Sequence, residues 1–148
     1  MNLMHKLIAD HLLDGELSPH SEILLRVDQT LTEDATGLTA YLQFEALGLP
    51  LAPGLQAVSL VDHGTPQVRS ENAADHHYLR TMAARHGLCY SPPGSGICHL
   101  LFLAHFARPG ALLLGADSHT PTAGAIGSVA IGAGGLEVAV AMAPAHYH

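Results

Sequence analysis

Three short polar groups in this chain carry side chains able to move protons. They are Asp62-His63, His99 behind the turn-forming residues 92–96, and Asp117-Ser118-His119. A carboxylate beside an imidazole fixes the ring's tautomer and raises its basicity, the arrangement that orients general acids and bases. Taken singly, each group has an ordinary reading. Asp62-His63 reads as a strand-end turn in which the Asp caps a neighbour. His99, within ICHLLFL, reads as a core histidine, and Asp117-Ser118-His119 as an Asx or Ser turn. Their joint occurrence after successive strands or loops favours one shared pocket over three separate accidents.

Other polar residues are weaker candidates. His76-His77 lies on a helical stretch without a second strong ligand four residues away, which predicts a solvated helix face. Cys89 and Cys98 are nine apart with no CxxC, so they are expected to be free, half-buried thiols and not a zinc or iron–sulfur site of this chain alone. The glycines from Gly124 onward do not follow the GxGxxG dinucleotide pattern.

The elements that must position these residues alternate between strand and helix. Residues 1–13 show helical spacing, stopped by Asp14-Gly15, and residues 21–28 form an apolar run of strand length. Thr32 is the expected N-cap of a helix over 34–47, closed by Gly48 and Pro50. Residues 55–61 read as a buried strand, 71–86 as the clearest helix with Gly87 as its stop, and 112–114 as another strand. The small-residue segment 124–143 reads as a loop and then a tightly packed helix. This alternation predicts an α/β domain with a mostly parallel sheet, with the polar groups where strands end.

Composition bounds the rest. The chain has 148 residues, 48% hydrophobic and 13% charged, enough apolar surface for one ordered domain. A formal charge of −7 argues against a nucleic-acid surface. The apolar stretches are too broken by His and Gly for a membrane span, and no secretory signal opens the chain. A cytoplasmic, reducing setting follows as the expectation.

The ordered blocks LRVDQTLTEDATGLTAYLQFEALG, VDHGTPQ, ENAADHHYLRTMAARHGL, PPGSGICH, FARPG and GADSHTPTAG…AIGAGGLEVAVAMA resemble the aconitase family of bacterial or mitochondrial type over residues 22–142. SHTPTAG at 118–124 favours aconitate hydratase over the related 3-isopropylmalate and homoaconitate dehydratases, which tend to show SHTSTHG. The resemblance implies a three-layer α/β/α domain, here incomplete, with residues 1–148 as the N-terminal portion of the iron–sulfur domain. It implies reversible dehydration of citrate and isocitrate through cis-aconitate, with that tricarboxylate as substrate. It implies a [4Fe–4S] cluster whose three cysteines lie outside this chain, and the rest of the enzyme as partner. Carried over by motif, Asp62, His63, His99, Asp117 and His119 would surround the leaving hydroxyl, and Asp117, Ser118 and His119 would contact substrate. Glu33 stands where the family has a substrate-binding Gln, Leu100 where it commonly has Gln, and residues 144–148 leave the family pattern. The expectation is an N-terminal segment inactive alone. A related hydro-lyase and a non-catalytic relic are the rival readings.

Overall fold

The computed structural model describes residues 2–144, so the ending PAHYH falls outside it except for Pro144. In chain order the elements are α1 (Leu3–Ala9), β1 (Leu12–Gly15), β2 (Ile23–Leu25), β3 (Gln29–Glu33), α2 (Asp34–Leu47) and β4 (Gln56–Leu60). Then come α3 (Ser70–His86), β5 (Cys89–Ser91), α4 (Cys98–His105), β6 (Leu112–Gly115), a 3-10 helix (Thr120–Ile126), β7 (Val129–Gly132) and α5 (Gly135–Met142). Strands β1 and β2 form a small antiparallel pair. The other five form a parallel sheet in the order β5-β4-β3-β6-β7.

Alternation along the strands sends side chains to two cores. On one face Ala57 and Val61 pack with Tyr41 and Phe44 of α2, Leu79 and Met82 of α3, and Val138, Ala139 and Met142 of α5. On the other, Leu31, Val58, Leu60 and Leu113 pack with Cys98 and Phe102 of α4 and Ala123 of the 3-10 helix. Helices on both faces of a parallel sheet make a three-layer α/β domain; the strand–helix alternation predicts the parallel α/β sheet and the family resemblance the three layers.

Strand β3 is the central strand, and the sequence reading passes over it because QTLTE looks polar. All five of its residues are buried, and Gln29, Thr32 and Glu33 have partners there. Gln29 Nε2 donates to Gln56 Oε1 and to the Phe106 carbonyl, each at 2.7 Å. Thr32 Oγ1 lies 2.6 Å from the Tyr41 hydroxyl. Pairing of this kind lets polar side chains lie in a core at little cost.

Other expectations are corrected. The helix expected over 1–13 ends at Ala9 and Leu12–Gly15 is strand, because His11 Nδ1 meets the Leu7 carbonyl at 2.6 Å and its Nε2 meets Asp28 at 2.5 Å. The cap of α2 is Glu33, not Thr32. The segment read as loop plus helix contains edge strand β7, which pairs with β6. The tight packing expected of its helix is present: a Cβ at Gly135 would stand 3.4 Å from the Ala40 amide nitrogen.

Candidate active site

The chain runs from β3 outward to β4 and β5, then returns to the other side of β3 for β6 and β7. In such sheets the crevice at the carboxyl ends, where the order reverses, is the usual ligand site. Glu33 ends β3, Asp62-His63 follow β4, Asp117-Ser118-His119 follow β6, and His99 lies in the first turn of α4. The structure therefore gathers Glu33 and the three polar groups read from the sequence at one end of the sheet.

His63 and Asp62 form the first pair. His63 Nδ1 lies 2.8 Å from Asp62 Oδ1, 3.2 Å from Glu33 Oε2 and 4.0 Å from Asp34 Oδ1. Burial works against the charged ring, but the Asp62 hydrogen bond and the Glu33, Asp62 and Asp34 charges raise its pKa overall. The imidazolium thus persists to higher pH, on a side chain that is half exposed. Asp62 Oδ2 accepts the Cys98 backbone N–H at 2.7 Å. Against its burial, that bond and the bond to His63 hold the Asp62 carboxyl below its ordinary range.

The second pair is His99 and Asp117, with Nε2 to Oδ1 at 2.8 Å. The same oxygen accepts the His119 backbone N–H at 2.7 Å and lies 3.5 Å from His119 Nδ1. The His99 and His119 rings are 5.8 Å apart, and Ser118 Oγ is 3.3 Å from His119 Nδ1. Two glycines permit this approach: a Cβ at Gly132 would fall 2.8 Å from the Asp117 carbonyl, and one at Gly115 would clash with Thr120. Cys98 and His99 are adjacent, so Asp62 ties the first pair to the helix turn that carries the second.

Glu33 is 1% exposed and caps α2, accepting from Ala35 N at 2.5 Å, Thr36 N at 2.9 Å and Thr36 Oγ1 at 2.5 Å. His76 corrects the solvated-face expectation. It is 5% exposed with Nε2 3.1 Å from Asp34 Oδ2, while its neighbour His77 is exposed. Asp34 itself was missed in the sequence, where it looks like an ordinary first-turn acid of a helix.

Two three-residue groups, Asp62/His63/Cys98 and His99/Asp117/His119, each bring potential ligand atoms within 4.8 Å of one another. Internal hydrogen bonds account for that spacing. The thiols do not suit an iron–sulfur cluster, which needs several thiolates. The chain has two cysteines; Cys98 is buried, and burial and then the Asp62 hydrogen bond and charge push its thiol up. That burial also corrects the half-buried expectation for Cys98. Cavities of about 420 Å³ and 400 Å³ lie at the other end of the sheet and include none of the site residues.

Residues 5–148 match the model of the aconitase family (aconitate hydratase). The chain is similar to a mitochondrial aconitate hydratase of Candida albicans, 38% identical over 87% of this chain and 19% of the relative. A mitochondrial aconitate hydratase of Saccharomyces cerevisiae is 35% identical over 91% of this chain and 20% of its own length. A 3-isopropylmalate dehydratase large subunit 2 of Archaeoglobus fulgidus is 33% identical over 95% of this chain and 35% of the relative. The chain therefore spans about a fifth of the aconitate hydratases and a third of the dehydratase subunit.

Proposed function

Because the chain belongs to the aconitase family, we propose that residues 1–148 are the N-terminal portion of the iron–sulfur domain of an aconitate hydratase, inactive without the remainder. The reaction is the reversible loss of water from citrate or isocitrate to give cis-aconitate. The observation that carries this reading is the His99–Asp117 pair at 2.8 Å, one residue along the chain from Cys98, whose backbone N–H Asp62 accepts.

Dehydration breaks a C–O and a C–H bond. The hydroxyl leaves as water once it gains a proton, and the C–H proton goes to a base that the remainder of the enzyme supplies. His63 and His99, each on a carboxylate, are the proton donors to the departing hydroxyl, and the same rings take the proton back in the hydration direction. Ser118, Asp117 and His119 contact the substrate at the exposed rim. Glu33, buried and capping α2, acts in this reading through His63. The family's [4Fe–4S] cluster finds no ligand set in this chain, and no step here depends on it. Partners are the tricarboxylate and the remainder of the enzyme, not nucleic acid or membrane. Among the described residues no helix is long and apolar enough to cross a membrane. Free Cys89 and Cys98 suit a reducing cytoplasmic compartment, and the names of two relatives set a mitochondrial location beside it.

A chimera tests the proposal: this chain replaces the matching segment of the Candida albicans relative, and ultraviolet absorbance follows the cis-aconitate double bond. Turnover is expected, with His99→Gln lowering it about 100-fold or more. A folded chimera without activity, or one indifferent to His99→Gln, overturns it. The similarity to the Archaeoglobus fulgidus subunit supports a second reading, a dehydratase of 3-isopropylmalate type. Turnover of 3-isopropylmalate by this chain grafted into that subunit, joined by its small partner, would select it.

A further inference from the structure

The buried Asp34 carboxylate accepts three successive backbone N–H groups: Asp62 at 3.0 Å and His63 at 2.9 Å on Oδ1, and Gly64 at 2.6 Å on Oδ2. His76 Nε2 closes the set at 3.1 Å. An aspartate at the start of a helix ordinarily serves its own helix. Here Glu33 already takes the Ala35 and Thr36 amides, which leaves Asp34 for the loop. His76 is fixed in turn. Its Nδ1 lies 2.6 Å from Gln67 Nε2, an atom that only donates, so the ring proton sits on Nε2 and points at Asp34. Gly64 is fitted to the same spot, since a Cβ there would stand 2.8 Å from Asp34 Oδ2 and 3.0 Å from His76 Nε2.

We infer that Asp34, held by His76, is a positioning residue that sets the Asp62–Gly64 loop and through it the orientation of the His63 ring. The inference rests on the reading of His63 as a proton donor. A carboxylate gathering three consecutive amides leaves the loop one conformation, and in that conformation the His63 ring meets Asp62 and Glu33. Helix α3 enters the site by this route, through His76.

The test uses the full 148-residue chain and needs no turnover. Nuclear magnetic resonance follows His63 ring titration and tautomer, and amide exchange at residues 62–64, in wild type, Asp34→Asn, His76→Ala, His76→Gln and Gln67→Ala. The carboxylates facing His63 are Glu33, Asp34 and Asp62. Asp34→Asn removes one of those charges, whereas His76→Ala leaves all three, so the His76 arm isolates orientation. In Asp34→Asn and His76→Ala, exchange at 62–64 is expected to rise about tenfold or more, the loss typical of a hydrogen bond to a charged group. The His63 midpoint moves down in both, and His76→Gln, which keeps a donor, restores part of it. A purely structural role lowers the melting temperature and leaves His63 titration unmoved; that result in folded His76→Ala overturns the inference. Where His76→Ala does not fold, Gln67→Ala at an exposed position is judged by the same criterion. Failure of the chimera with these signals intact sinks the functional reading alone.

Discussion

Replacing Glu33 by Gln separates two roles for one residue. Its carboxylate accepts from Ala35 N, Thr36 N and Thr36 Oγ1 while 1% exposed. In Gln one oxygen becomes a donor, so one backbone N–H must face an N–H in a site closed to water. A buried orphan donor costs about 1–3 kcal/mol, and a lost N-cap about 0.5–2 kcal/mol. The two overlap, since the remaining oxygen still caps, which sets the expected loss at about 1–3 kcal/mol. For a domain of this size that lowers the melting temperature by roughly 2–12 °C. The assay is thermal unfolding by circular dichroism of both proteins, with His63 titration in parallel. The His63 midpoint should move down, because a carboxylate 3.2 Å from Nδ1 has become neutral. If Glu33→Gln melts at or above wild type with His63 unmoved, the carboxylate is not engaged in capping. It is then free to meet a tricarboxylate, and the substitution should improve substrate binding by removing like-charge repulsion.

Other outcomes follow from the same geometry. Against their burial, hydrogen bonds hold the Asp28, Asp34 and Asp62 carboxyls below their ordinary range. The stability they contribute is present above the unfolded carboxylate pKa of about 4 and lost as pH falls through the lower folded values. Denaturant unfolding from pH 7 to 2 should show this, with a flatter decline in Asp34→Asn. Buried Cys98, its thiol pushed up, should react with a thiol reagent far more slowly than half-buried Cys89, and both should react equally in denaturant. Anaerobic reconstitution of the chain alone should incorporate no stoichiometric iron and sulfide, as measured by direct analysis. Ile97 and Leu100, 60% and 59% exposed beside the site, and Leu136 and Val140 on α5, 54% and 55% exposed, should bind a hydrophobic dye. A cooperative melt without dye binding would contradict that.

What the sequence disclosed follows from which signals are periodic. Helix α3 and strand β4 were legible because apolar spacing marks a buried face in each, and Gly87 stops α3 in the left-handed conformation at φ 74°. Strand β3 was not, because its burial depends on partners distant in the chain, such as Gln56 and Phe106. The three-residue strand β5 and the four-residue strand β7 carry too few side chains to show a period. The Asp62-His63 pair could be found by residue type, since its members are neighbours in sequence, whereas His99 and Asp117 were flagged as separate groups and only the fold pairs them. The role of His76 could not, because Asp34 is 42 positions away. Glu33 shows the converse: its motif position suggested a substrate contact, and its surroundings engage it in capping.

Outward growth of the sheet from β3 also divides the site into two inheritances. Glu33, Asp34, Asp62 and His63 belong to the half of the chain before residue 92, and Cys98, His99, Asp117 and His119 to the half after it. Each half carries a complete acid–base pair. The halves meet along the β3–β6 ladder, with Asp62 reaching across to the Cys98 amide. The spacing between His63 and His99 therefore depends on the β3–β6 register together with the Asp34 and Asp62 side chains that hold the loop and the first turn of α4. A cut within the exposed residues 92–97 would leave two pieces, each with one Asp–His pair and neither with both, and their reassembly would be reported by whether Asp62 again accepts the Cys98 N–H.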